Sequence, residues 1–108
     1  MVPFEFAEKA KILVVDDESR IRDACQLVLG EQGLEVAVAS DGEQGVEMIQ
    51  KEHFDVILVD LMMPGLSGLE VLSFVKEKHP HTVVIVITGY ATLEHSIEAM
   101  KKGAFDFI

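Results

Sequence analysis

Three short apolar runs constrain this chain most. Ile12-Leu13-Val14-Val15, Val56-Ile57-Leu58-Val59 and Val83-Val84-Ile85-Val86-Ile87 end at polar residues, respectively Asp16-Asp17, Asp60 and Thr88-Gly89. Runs this short, rich in Val and Ile and stopped by polar punctuation, suit strands buried on both faces. Residues 34–38 alternate in polarity, which predicts a half-exposed edge strand, and residues 104–108 can begin a fifth strand.

The intervals between the runs carry the helical period. Ile21, Ala24, Cys25, Val28 and Leu29 form one stripe, with Ser19 as its N-cap and Gly33 past its end. Val46, Met48 and Ile49 lie on a shorter helix that Asp41 can cap. Leu69, Leu72 and Val75 follow Ser67, a third cap, and this helix should stop before Pro80 because the residue before a proline avoids helical angles. Leu93, Ile97 and Met100 stripe a fourth helix, capped by Thr92 and closed by Gly103. Strand and helix therefore alternate, with connections suited to right-handed crossovers onto a parallel sheet. The expected fold is α/β, a doubly wound parallel sheet, and so short a chain favours the flavodoxin-like strand order 2-1-3-4-5.

Composition narrows the function. A length of 108 residues makes one domain. Nineteen acidic residues against nine Lys and Arg give a net charge of -10, which argues against a nucleic-acid face and against an anionic membrane surface. No apolar run is long enough to span a bilayer. Cys25 is the single cysteine and reads as a small core residue, while His53, His79, His81 and His95 share no helix face or loop in the way a metal site needs and read as surface residues. Residues 1–10 include Glu5 and Glu8 and do not read as a signal peptide, so a cytoplasmic location is expected.

In open α/β sheets, ligands bind outside the carboxyl ends of the strands, where the strand order reverses. In the 2-1-3-4-5 order that point lies between strands 1 and 3. Asp16 and Asp17 follow strand 1, Asp60 follows strand 3 and Thr88 follows strand 4, so three carboxylates and a hydroxyl should converge there. Clustered carboxylates disfavour one another's ionisation, and a hard divalent cation relieves this. Mg²⁺ takes oxygen ligands and keeps several waters, so carboxylates, a backbone carbonyl and water suit it. A carboxylate beside such an ion can attack phosphorus to give an aspartyl-phosphate, with the Thr88 hydroxyl bonding a phosphate oxygen.

These residues resemble a family. The Asp16-Asp17 pair, the segment from Val59 through Asp60 to Pro64-Gly65, the Thr88-Gly89 turn and the run from Lys102 to Ile108 are similar, in order and spacing, to the receiver domain of bacterial two-component response regulators. The resemblance implies that Asp60 is the phosphoacceptor, supplied from the phosphohistidine of a sensor histidine kinase. It implies that Asp17 binds Mg²⁺ directly, Asp16 partly through water, and that Asp60 and the backbone carbonyl of Met62 complete the protein ligands. It gives Thr88 the task of sensing the phosphoryl group and Phe107 the place of the switch aromatic. Tyr90 and the helix over 91–100 border Thr88 and read as an output face. From Thr88 onward the chain further resembles receivers of enhancer-binding transcription activators of the nitrogen-regulation type, which implies a C-terminal output domain in a longer protein.

One departure from the family pattern stands out. The catalytic lysine, expected two residues beyond Ile108, is not present in this chain, and neither is the fifth helix. The expected organisation is an N-terminal extension over 1–10 and a receiver over 11–108, truncated before the end of strand 5. The sheet face that helix 1 then covers alone, built from Val56, Leu58, Ile85 or their alternating neighbours, is expected to cost stability or to be hidden in a homodimer. Two other functions compete with a signalling receiver that is not a turnover enzyme. A small aspartyl-phosphate phosphatase would carry Asp-x-Asp after strand 1, a spacing that Asp16-Asp17-Glu18 lacks. A phosphorylation-independent docking module would keep the fold alone.

Overall fold

The structure, a computed structural model, describes residues 10–87 and 93–108. Five strands alternate with four helices: β1 (Lys11–Val15), α1 (Ser19–Glu31), β2 (Glu35–Ala39), α2 (Gly42–Lys51), β3 (Val56–Asp60), α3 (Gly68–Lys78), β4 (Val83–Ile87), α4 (Leu93–Lys101) and β5 (Asp106–Phe107). All pairings are parallel and the sheet order is β2-β1-β3-β4-β5. That is the doubly wound, flavodoxin-like order expected from the alternation of apolar runs and helical stripes.

The local signals explain most element ends. Asp41 accepts the Gln44 amide at 2.7 Å and caps α2. Ser67 and Glu70 form a reciprocal capping box at the start of α3, satisfying two amides that the helix cannot bond internally. That helix ends at Lys78, ahead of Pro80, and Gly103 follows α4 with φ 108°, a left-handed conformation that favours glycine. Ser19 does not cap α1. It is the first helical residue, and Glu18 holds the cap position with no side-chain bond to the helix. The Thr92 cap lies outside the described residues.

The two faces of the sheet differ. Leu13, Val15, Ile57, Val59, Val84 and Val86 are fully buried against Ile49 of α2, Val71, Leu72 and Val75 of α3, and Ala99 of α4. On the other face, which α1 covers, Ile12 and Val14 are buried but Val56, Leu58, Ile85 and Ile87 are only half-buried. Helix α1 itself buries no residue fully; Cys25 is half-buried and Val28 is 57% exposed. Reading Cys25 as a core residue was thus too strong, because a helix packed at a sheet margin keeps much of its apolar stripe in partial contact with water.

Candidate functional site

The carboxyl ends of β1 and β3 are adjacent because the two strands pair directly, Val15 opposite Val59. The chain leaves both at this edge with acidic residues. Asp16 is buried, 1% exposed, and its amide donates to Ala39 O at 3.1 Å, which continues the β1–β2 ladder by one residue. Its Oδ1 accepts the Glu18 amide at 2.9 Å, and its carbonyl accepts Arg22 Nη1 at 2.8 Å. Arg22 thus ties the first turn of α1 to the end of β1. Asp17 is exposed beside it, and Asp60 is half-buried. One carboxylate oxygen from each of Asp16, Asp17 and Asp60 lies within 4.8 Å of the others.

The loop after Asp60 is tightly held. Met62 donates its amide to Asp60 Oδ1 at 3.0 Å, and Leu61 donates to Ile87 O at 3.2 Å, carrying the β3–β4 ladder beyond the strand. Met63 is buried in the core while the Met62 side chain is 47% exposed. Gly65 turns the chain with φ 77°, and the next amide, Leu66, donates to Glu43 Oε2 at 3.1 Å. Gly68 then brings α3 against the end of β3: a Cβ there would lie 2.2 Å from Asp60 O, so only glycine fits.

Electrostatics follow from this packing. Burial raises Asp60 to about 6; the Met62 amide opposes the rise, and the charges of Asp16, Asp17 and Glu18 add to it. Asp16 is raised as well, by burial first, with the Glu18 amide and Arg22 opposing and the charges of Asp17 and Glu18 adding. Three acidic oxygens so close, two of them on groups whose charged form is disfavoured, fit a hard divalent cation. Oxygen donors alone, with water free to reach exposed Asp17, match the coordination that Mg²⁺ prefers.

Of the residues singled out in the sequence, Asp16, Asp17 and Asp60 converge and Met62 sits beside them. Thr88 and Tyr90 lie outside the described residues. Phe107 is on β5, separated from β3 by β4, and is 38% exposed. Arg22, Glu43 and Gly68 were missed. Each acts through a contact that no helical or strand period marks, Glu43 across 23 residues, and only Gly68, as the glycine after a helix cap, carries a local hint.

With this geometry in hand, the relatives of the chain become informative. The sequence profile of the response regulator receiver domain matches residues 12–108, and the chain belongs to that family. It is 38% identical over 100 residues to the response regulator protein PilR of Pseudomonas aeruginosa, covering 93% of this chain and 22% of that protein. It is 34% identical over 101 residues to the DNA-binding transcriptional regulator NtrC of Escherichia coli, covering 94% of this chain and 22% of that protein. A receiver domain from Clostridium thermocellum superposes with a TM-score of 0.87 at 40% identity, over 92% of this chain and 80% of that one. The chain spans about a fifth of the length of these two full-length regulators. It is a receiver of the response-regulator class, and its resemblance to receivers of the nitrogen-regulation type holds. No helix among the described residues is long and apolar enough to cross a membrane.

Proposed function

We propose that this domain is a phosphorylation-operated switch in which Asp60 takes a phosphoryl group from the phosphohistidine of a sensor histidine kinase. The observation that carries the reading is the meeting of Asp16, Asp17 and Asp60 within 4.8 Å at the switch point of the sheet. The Met62 amide fixes Oδ1 of Asp60 and so orients the carboxylate, leaving Oδ2 to attack phosphorus as the donor imidazole leaves. Mg²⁺, held by Asp17, Asp60, the Met62 carbonyl and, partly through water, Asp16, would neutralise charge on the transferring group. Burial and the neighbouring acidic charges disfavour the charged Asp60, and contact with a divalent cation would relieve that cost and offset the negative charge that a phosphoryl group adds.

Thr88 then bonds the phosphoryl oxygens, and Phe107 with the α4 side of the sheet relays the change. Residues 11–108 are the receiver and 1–10 an extension to it. An output domain in the longer protein, a transcription activator by analogy with NtrC, reads the switch, either within one chain or in a homodimer. The domain assists its own phosphorylation and hydrolysis but turns over no other substrate, and it acts in the cytoplasm. Intact-mass measurement tests this. In a form continuing past Ile108 through the expected lysine, a small-molecule phosphodonor with Mg²⁺ should add one phosphoryl group, and Asp60→Asn should abolish the gain. An unaltered gain in Asp60→Asn refutes the assignment, and no gain with Mg²⁺ in the parent favours a docking module.

A further inference from the structure

The loop between β3 and α3 carries Met62, whose carbonyl is among the proposed Mg²⁺ ligands. It is closed at its base, where the Gly68 amide donates to Leu61 O at 3.3 Å, and it is rooted by Met63, which is buried in the core. Asp16 and Asp17 lie on a different segment, directly after β1. A cation shared by the two segments needs them held at a fixed separation, because Mg²⁺ demands near-ideal octahedral geometry.

The first turn of α2 touches both segments. On one side, Gly45 packs on Val15, the residue before Asp16: a Cβ at Gly45 would lie 3.0 Å from Val15 Cγ2. On the other, the Leu66 carbonyl comes so close to Gly42 that a Cβ there would lie 2.3 Å from its oxygen. Glu43 stands between these two glycines in sequence, and its Oε2 accepts the Leu66 amide at 3.1 Å. Gly65 makes room for the carboxylate, whose Oε2 lies 3.0 Å from where a Gly65 Cβ would be.

The turn that presents Glu43 is itself fixed. Asp41 Oδ1 accepts the Gln44 amide at 2.7 Å, and Gln44 Oε1 accepts the Ser40 amide at 2.7 Å. An acidic residue in the first turn of a helix favours the helix dipole whatever its side chain bonds to. That accounts for a carboxylate at position 43 but not for its bond to a loop 23 residues away.

We propose that Glu43 is a positioning residue for the divalent cation: by holding the Leu66 amide, it fixes the loop that carries Met62 relative to the end of β1 that carries Asp16 and Asp17. Glu43 does not touch the ion and acts through the loop. What the tether requires is an acceptor oxygen at this place, not a negative charge. The inference rests on the phosphoryl-switch reading of the aspartate cluster and adds to it a residue outside the cluster that sets the affinity for Mg²⁺.

The test is a Mg²⁺ titration of the protein and its variants, followed by the backbone amide NMR signals of Asp17 and Met62. Glu43→Ala loses the acceptor and should weaken Mg²⁺ roughly two- to fivefold, the lower part of what one hydrogen bond contributes, because the carboxylate is exposed. Glu43→Gln keeps an acceptor oxygen without the charge, and its affinity should lie nearer to the parent than to Glu43→Ala. Hydrogen exchange of the Leu66 amide should quicken in Glu43→Ala and not in Glu43→Gln. Thr82→Val removes the 3.0 Å bond from the Thr82 hydroxyl to Phe54 O, at the other end of the strands. It should lower the melting temperature and leave the Mg²⁺ affinity unchanged, which separates lost stability from lost positioning. Unchanged affinity in Glu43→Ala, equal weakening in Glu43→Gln and Glu43→Ala, or as large a weakening in Thr82→Val would overturn this inference alone. Absence of Mg²⁺ binding by the parent would overturn the phosphoryl-switch reading and this inference with it.

Discussion

Replacing Asp60 by asparagine is expected to stabilise the metal-free domain near neutral pH. Burial, with the charges of Asp16, Asp17 and Glu18, raises the Asp60 carboxyl from 3.8 to about 6. A rise of roughly two units corresponds to about 3 kcal/mol as an upper bound. The carboxylate is half-buried and reaches solvent, so screening reduces this to about 1–2 kcal/mol. Asparagine keeps an oxygen to accept the Met62 amide and loses only the charge. For a domain of this size, about 1 kcal/mol moves the melting temperature by about 4–8 °C.

The pH dependence has a definite sign. The unfolded chain releases the Asp60 proton near pH 3.9, whereas the native state keeps it until about 6. Between those values the native state binds more protons, so Asp60 removes stability as the pH rises through that window. Thermal melts of the parent and Asp60→Asn should therefore be closest at about pH 4 and furthest apart above about pH 7. Carboxylates outside this cluster titrate alike in both proteins and cancel in the difference, while the loss of the Asp60 charge also eases ionisation of its acidic neighbours and adds to the gap. Equal melting at neutral pH, or a gap that does not change with pH, would refute this reasoning.

Other expectations follow from the same contacts. Gly68→Ala should destabilise the domain by roughly 1–3 kcal/mol in chemical denaturation, because a Cβ would meet Asp60 O at 2.2 Å. Ile57→Ala and Leu58→Ala, neighbours on opposite faces of β3, should differ: about 2–5 kcal/mol for the fully buried Ile57 and less for half-buried Leu58. Ser67→Ala removes one arm of the capping box and should cost about 1 kcal/mol by the same measurement. In an Mg²⁺ titration followed by calorimetry, Asp17→Asn should weaken binding more than Asp16→Asn, since Asp17 is exposed whereas Asp16 is buried with its Oδ1 already accepting the Glu18 amide.

The sheet was legible because its signals are local. The three Val- and Ile-rich runs are the central strands, and the alternation of residues 34–38 falls within one residue of the observed edge strand Glu35–Ala39. The meeting of Asp16, Asp17 and Asp60 was legible because strand order alone carries strand ends to one edge. What depended on contacts between distant segments was not. Glu43 holding the Leu66 amide and the Thr82 hydroxyl on the Phe54 carbonyl leave no periodic mark in the sequence. The stripe of α1 was over-read for a related reason: periodicity shows which side of a helix faces the sheet, but not how deeply that side is buried.

The central claim is that one carboxylate, Asp60, receives the phosphoryl group. Borohydride reduction of the phosphorylated protein, in the form that continues past Ile108, converts an acyl phosphate to an alcohol and marks the residue that carried it. Peptide sequencing by mass spectrometry should find the mark at position 60, dependent on Mg²⁺. A mark at Asp16 or Asp17, or an equal mark without Mg²⁺, would contradict the account.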